Sequence, residues 1–197
     1  MRSQRLVVLV ASVLLSACSQ AGDTDRRVPP DTPAVRVDTT APDSPGPGHA
    51  AVSWMVTPTG AGTARIGMST VALAPMSSRS ADTASIGDGC GYLKIDTAPD
   101  SMRFMVEGRE LVRIEVAGAQ PATAEGARVG DSEQQILALY PKARRLPHKY
   151  TDGSYLIVLP GAPADTMHRY VFETDGQRVT AYRAGRYPQV EYVEGCS

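Results

Sequence analysis

The sequence predicts an α+β domain in which two tandem units each place a short helix before antiparallel strands. One observation is a pair of similar segments 63 residues apart: residues 64–69 read ARIGMS and residues 127–132 read ARVGDS. A second is a pair of apolar stretches with a turn glycine, 68 residues apart: residues 104–109 read FMVEGR and residues 172–177 read FETDGQ. Such self-similarity is typical of repeated supersecondary units. We therefore expect one globular domain over 51–197, with a repeat boundary near residue 120 (about 51–120 and 121–197).

Each unit is expected to begin with a capped helix. Ser132 is a good N-cap, and Gln135 three residues later completes a capping box, while Pro141 ends the helix. Ser69 occupies the same position in the first unit. Because Pro75 falls where an interior hydrogen bond should form, we expect the first helix to be short or irregular.

Strands follow each helix. Val112, Ile114 and Val116 alternate with Arg113 and Glu115, which is the pattern of a strand with one buried face. Gly108 and Gly176 are each expected in a turn between extended stretches. Residues 155–159, reading YLIVL, are apolar throughout and are expected inside a sheet.

The N-terminus reads as an export signal. Arg2 and Arg5 precede the apolar run LVVLVASVLL at residues 6–15, which suits a signal peptide and is too short to span a bilayer. The run ends in Leu15-Ser16-Ala17-Cys18, which resembles the lipobox of bacterial lipoproteins. The resemblance implies cleavage of residues 1–17 and acyl chains on Cys18, which anchor the protein firmly. An ordinary signal peptide with a coincidental cysteine is the alternative. Ser19 is permissive for transfer to the outer membrane by the family's sorting rule.

Residues 18–50 are expected to form a lipidated cysteine followed by a disordered tether. Residues 19–50 hold six prolines and five aspartates and few large apolar side chains, so they cannot bury enough surface to offset their ordering entropy. A tether of this length reaches roughly 30 Å as a coil and about 100 Å when fully extended.

Charge and cysteine content narrow the function classes. Without residues 1–17 the chain has 18 basic and 21 acidic residues, a net charge of −3 that argues against general nucleic-acid binding. Cys90 and Cys196 remain in an oxidising compartment, so we expect a disulfide between them. Two free thiols or an intermolecular bridge are the alternatives.

The motif around residues 66–69 and 129–132 is similar to that of two families. The secreted beta-lactamase inhibitory proteins use a short helix and small antiparallel sheet in tandem, and SmpA/OmlA-type outer-membrane assembly lipoproteins use it once. Asp131 departs from the usual Met at its position, so the second copy matches less well. The resemblance implies the helix-plus-antiparallel-sheet fold and a protein-binding role. It does not identify which residues of this chain would contact a partner.

No catalytic or metal-binding constellation stands out in the sequence. The three histidines, His49, His148 and His168, have no metal-ligand spacing, so neither a metal nor a cofactor is expected. Ser132 is explained as a helix cap rather than as a nucleophile. A basic cluster follows the second helix and reads as a solvated loop or as an anion contact; it comprises Lys142, Arg144, Arg145, His148 and Lys149.

Tyrosines concentrate in the second half, where seven of the eight lie. Tyrosine is enriched at protein interfaces, although it also packs well on sheets. We predict a binding surface near the C-terminus, made of Arg183, Arg186, Tyr187 and Tyr192.

The predicted function is a membrane-anchored, non-enzymatic module of the cell envelope that binds or inhibits another envelope protein. The alternative is an outer-membrane assembly or structural lipoprotein, whose deletion would raise envelope permeability. An enzyme acting on wall or lipid is the third and least favoured possibility, since it would need an acid–base pair converging in one pocket.

Overall fold

The computed structural model describes residues 53–78, 86–159 and 165–196. The predicted signal peptide, Cys18 and the tether lie outside the described residues. The strands are β1 (Val56–Thr57), β2 (Gly60–Ala61), β3 (Ala64–Arg65), β4 (Cys90–Leu93), β5 (Met102–Glu107), β6 (Glu110–Val116), β7 (Arg144–Pro147), β8 (Ser154–Val158), β9 (His168–Thr174) and β10 (Val179–Arg186). The helices are α1 (Thr70–Leu73) and α2 (Glu133–Leu139), with 3-10 helices at Ala74–Met76 and Gln189–Glu191.

The strands form two antiparallel sheets. β1, β2 and β3 make a small sheet in that order, and a seven-stranded sheet has the order β4-β5-β6-β10-β9-β8-β7. Hairpins β5–β6 and β9–β10 meet in the middle of the large sheet, where β10 pairs with β6. All pairings within both sheets are antiparallel.

The expected fold class is wrong. The described residues are mostly β, in two antiparallel sheets with two short helices, and they do not form two tandem helix-plus-strand units. The helices are short because Pro75 lies in a 3-10 turn that follows α1 directly, and α2 ends just before Pro141. Strands from both halves of the domain hydrogen-bond through β6 and β10, so the halves share one sheet.

Local features of the two similar segments nevertheless recur. The amide of Gly67 donates to the carbonyl of Leu111 (2.8 Å), and the amide of Gly130 donates to the carbonyl of Val179 (2.9 Å). Ser69 and Ser132 are both N-caps, and Ser132 forms the predicted capping box with Gln135. The sequence similarity therefore marks a common way of attaching a capped turn to a strand.

The main core lies on one face of the large sheet, called here the inner face. Phe104, Ile114, Phe172 and Tyr182 extend from it, and both helices, β1–β3 and Trp54 pack over them. Burial of this apolar surface supplies the main driving force for folding. Polar groups in the core find partners, since the Tyr170 hydroxyl donates to the carbonyl of Val56 (3.0 Å) and so links the two sheets.

Candidate functional site

The opposite face of the large sheet, the outer face, combines charged and apolar side chains. Because side chains alternate along a strand, residues paired across neighbouring strands line up in rows on this face. One row crosses six strands and comprises Arg144, Ile157, Val171, Arg183, Glu115 and Arg103. This row has a basic end, an apolar middle and an ion-pair network at its other end, whereas the inner face is mostly apolar.

Arg113 and Glu115 form a buried ion pair on the outer face, with side chains 3% and 10% exposed. Arg113 Nε donates to Glu115 Oε1 (2.9 Å), and the Tyr92 hydroxyl also donates to Glu115 (2.7 Å). Arg103 Nη2 reaches the second carboxylate oxygen at 2.6 Å. Burial alone would raise the pKa of Glu115, but attraction to Arg113 and these hydrogen bonds hold the pKa below its ordinary value.

Residues 189–196, called here the C-terminal segment, lie across this face. The carbonyl oxygen of Tyr192 accepts hydrogen bonds from Arg113 Nη1 (2.6 Å) and Arg183 Nη1 (2.8 Å). Val190 is fully buried in a second apolar cluster with Tyr155, Ile157, Val171 and the half-buried Val193. The segment thus covers two buried arginines and supplies the carbonyl that they share.

Two features hold the C-terminal segment in place. A disulfide joins Cys196 to Cys90 in β4, as predicted, and connects residues 106 positions apart. Gly195 has a φ of 65°, and a Cβ at this position would collide with the Tyr92 hydroxyl. A glycine is therefore required where the segment passes closest to the sheet.

Among the cavities along the C-terminal segment, two are lined by Arg183. The larger, about 270 Å³, is polar, and its lining includes Arg103, Arg113, Arg183, Glu115, Glu173 and Glu194. The smaller, about 170 Å³ and called here the apolar cavity, is lined by Leu146, Tyr155, Ile157, Val171, Arg183, Glu191 and Val193. Arg183 lines both cavities and therefore lies at the boundary between the polar and the apolar part of the face.

Two buried polar atoms beside the apolar cavity have no hydrogen-bond partner within the described residues: the Tyr155 hydroxyl and Arg183 Nε. The Tyr155 ring stacks on His148 at 4.5 Å between centroids, and His148 Nε2 lies 2.9 Å from Glu173 Oε1. Burial lowers the pKa of Arg183, and repulsion from Arg113 lowers it further. Attraction to Glu173, whose Oε2 lies 3.6 Å from Arg183 Nη2, and to Glu115 opposes both effects.

The residues predicted to form a binding surface do not form one cluster. Arg183 is buried under the C-terminal segment, whereas Arg186 pairs with Glu110 (3.1 Å). The guanidinium of Arg169 lies over the exposed ring of Tyr187, 4.5 Å from its centroid. Tyr192 keeps an exposed side chain, and its backbone carbonyl joins it to Arg183. The structure thus brings Arg183 and Tyr192 together, while a binding role for all four remains a prediction.

Most of the predicted basic cluster is paired. Arg145 pairs with Glu133, His148 with Glu173 and Lys149 with Glu194. Lys142 and Arg144 form no ion pair with any described residue. Lys142 precedes β7, and Arg144 begins it, two positions before Leu146 of the apolar cavity.

Sequence reasoning missed Arg113, Glu115 and Tyr155 as site residues. Arg113 and Glu115 alternate with apolar residues and so read as solvent-facing, yet the C-terminal segment buries them. A pair of opposite charges two residues apart in a strand was the only available signal, and such pairs are also common on exposed faces.

Two further searches of the described residues gave negative results. No group of three or more His, Cys, Asp or Glu side chains is placed to hold a metal ion there. No helix within residues 53–78, 86–159 or 165–196 has the length and apolar character needed to cross a membrane.

Comparison with known proteins gives one distant likeness. No family model matches the chain, and no curated protein does. Among solved structures, the chain is similar to an extracellular protein containing a SCP domain from Bacillus anthracis str. Ames, with a TM-score of 0.38 and 17% identity. The match covers 62% of this chain and 44% of that one, so this chain spans less than half of that protein. A likeness of this size carries no argument about fold or function.

Proposed function

We propose that this protein is an exported, lipid-anchored module of the cell envelope that binds another protein and catalyses no reaction. Its lipid is attached to Cys18, and the tether of residues 19–50 lets the domain work away from the membrane surface. The export signal and the lipobox resemblance support the anchor, and the oxidised Cys90–Cys196 pair is compatible with an oxidising compartment.

The observation that carries the binding proposal is the apolar surface beside the C-terminal segment. Leu146, Tyr150, Tyr187 and Tyr192 are exposed although they are large and apolar or aromatic. Leu146 lines the apolar cavity, and Tyr150 hydrogen-bonds to Glu194 of the segment. Exposed aromatic side chains and preformed apolar pockets are both typical of binding sites.

A binding role also accounts for the rigidity of this surface. The disulfide, the shared Tyr192 carbonyl and the buried Arg113–Glu115 pair fix the C-terminal segment against the sheet. A surface that is ordered before its partner arrives loses less conformational entropy on binding. A rigid surface is also sufficient for a non-enzymatic binding module, because binding alone needs neither a moving lid nor a proton-transfer group.

Site-specific photo-crosslinking in living cells tests this proposal. A photo-reactive amino acid replaces Tyr150 (61% exposed) or Tyr192 on the outer side, or Val71 (81% exposed), which lies on α1 above the inner face, as the matched control. We expect one dominant envelope protein to be captured from the first two positions and not from Val71. The Cys18→Ala variant should incorporate no labelled fatty acid and should lose most of this capture, whereas Ser16→Ala should behave as wild type.

Equal capture from all three positions, or none from any of them, would contradict the binding module. Capture of many envelope-assembly proteins without dependence on position would instead favour the structural lipoprotein. Fatty-acid labelling of the Cys18→Ala variant would contradict the anchor alone.

A further inference from the structure

The apolar cavity has the size of a single large apolar side chain. Its volume is about 170 Å³, and apolar cavities of roughly 150 Å³ hold a molecule as large as benzene. Ile157 and Val171 pair across β8 and β9 and line it, Leu146 lines it from the edge strand, and Val193 from the C-terminal segment. The surroundings therefore favour an aliphatic group.

Two residues that line the cavity carry buried hydrogen-bond donors without a partner among the described residues. Tyr155 and Arg183 line it, they are 8% and 6% exposed, and each has a buried polar atom that no described residue satisfies. A buried polar atom without a partner is costly, and a ligand oxygen that accepts from it recovers that cost. A peptide carbonyl placed beside an aliphatic side chain is such an acceptor.

Beside the residues that line the cavity, one arginine on β7 has no ion pair with a described residue, whereas the acidic residue of the lining, Glu191, is already paired with Arg169 (2.6 Å). Arg144 pairs with Ile157 across β7 and β8, so its side chain is on the outer face two residues from Leu146. It is exposed, and none of the described acidic residues pairs with it. An acidic group next to the aliphatic side chain would complement this charge.

We propose that the apolar cavity receives one branched aliphatic side chain of an extended peptide segment of the partner protein. The peptide carbonyl next to that side chain accepts from the Tyr155 hydroxyl and Arg183 Nε, and an adjacent acidic side chain contacts Arg144. This assignment rests on the proposed binding function and adds the chemistry of the sequence that is bound.

The test uses the mature chain 18–197 with Cys18→Ala, which keeps every described residue, and follows its backbone amides by NMR. The probe is N-acetyl-aspartyl-leucine amide. N-acetyl-aspartyl-glycine amide lacks the aliphatic group, and N-acetyl-asparaginyl-leucine amide lacks the charge. We expect saturable shifts at Tyr155, Ile157, Val171 and Val193 with the leucine probe, and affinity about tenfold weaker with the glycine probe. The uncharged probe should bind a few-fold more weakly, with less dependence on salt.

Two variants separate recognition from folding. Tyr155→Phe keeps the ring on His148 and removes a hydroxyl without a partner, so thermal stability should stay equal or rise while affinity for the leucine probe falls about three- to tenfold. Leu146→Lys should abolish saturable binding, whereas Leu139→Lys, an equally exposed leucine on α2, should leave it unchanged.

Several results would overturn the assignment. One is an absence of saturable shifts with the leucine probe, which is the result expected if the cavity holds only water. The others are equal affinity for the leucine and glycine probes, and unchanged binding of the leucine probe by Leu146→Lys. If the probe fails while crosslinking from Tyr150 and Tyr192 still captures one protein, the cavity assignment is wrong and the binding function stands. If the crosslinking fails as well, both are wrong.

Discussion

The two faces of the seven-stranded sheet are held together by different forces. The inner face is an apolar core in which Phe104, Ile114, Phe172 and Tyr182 pack beneath the helices and the small sheet. The outer face is also largely buried, but it holds arginines and glutamates beside a small apolar cluster. Its cover is a short segment fixed by a disulfide and by hydrogen bonds to two arginines.

Because of this difference, the stability of the two faces depends on different solution conditions. Burial of apolar surface does not vary with pH and needs no covalent link. A buried ion pair needs its partners ionised, and a short segment needs a constraint to stay on the sheet. We therefore expect the outer face to be sensitive to reduction and acid in a way that the inner face is not.

Removing the disulfide should have the largest effect. The variant Cys90→Ala with Cys196→Ala is expected to lose about 4–5 kcal/mol of unfolding free energy in the chain-entropy model, because the closed loop exceeds 100 residues. Denaturant unfolding measures this loss, and reduced wild type should reproduce it. Hydrogen exchange should rise more at residues 189–193 than in β5. A uniform rise over both faces would contradict the division into separately held faces.

Removing the carboxylate of Glu115 should have the next largest effect. Glu115→Gln leaves Arg113 buried without its counter-charge and should cost about 3 kcal/mol at pH 7. Since the folded protein holds the pKa of Glu115 below its ordinary value, its stabilisation is complete above about pH 4.3 and is lost as the pH falls through the folded pKa. The difference between wild type and variant should therefore shrink as the pH falls below about 4.

The matched control for Glu115 is Asp88→Asn. The Asp88 carboxylate is 82% exposed and pairs with Arg109 at the surface, so the substitution should change the unfolding free energy little. Equal losses from Glu115→Gln and Asp88→Asn at pH 7 would show that the outer face does not depend on its buried charges.

A smaller effect is expected where the C-terminal segment passes Tyr92. Gly195→Ala introduces a Cβ that collides with the Tyr92 hydroxyl at a residue with φ of 65°, and should cost about 2 kcal/mol. Gly108→Ala is the control, since Gly108 has a φ of 57° and open space around it. Chemical denaturation should show a larger loss at Gly195, and hydrogen exchange should place it in the segment. The same loss from both variants would mean that only backbone strain is being measured.

Features encoded locally in the sequence could be predicted. The caps at Ser69 and Ser132, the turn at Gly108 and the short first helix depend on neighbouring residues, and the structure confirms them. The disulfide is also predictable, because the expected export signal implies an oxidising compartment in which two remaining cysteines usually pair. These predictions need no knowledge of distant contacts.

Features set by distant contacts could not be predicted. The two hairpins pair through β6 and β10, and this pairing depends on residues such as Glu115 and Arg183, which are 68 positions apart. Because this pairing places both halves in one sheet, the predicted fold class of two tandem units is wrong. Burial of Arg113 depends on the carbonyl of Tyr192, 79 residues away. In a strand pattern, a charged residue covered by a remote segment is indistinguishable from one facing water.

The edge strand β7 affects whether copies of the protein associate edge to edge when they are close together. All four of its residues are exposed, and two arginines and a proline are among them. Like charges repel, and proline cannot donate to a new ladder, so this edge resists extension by the sheet of another copy. Under the lipid anchor proposed above, neighbouring copies would share a two-dimensional surface and meet often, and such an edge disfavours their polymerisation into continuous sheets.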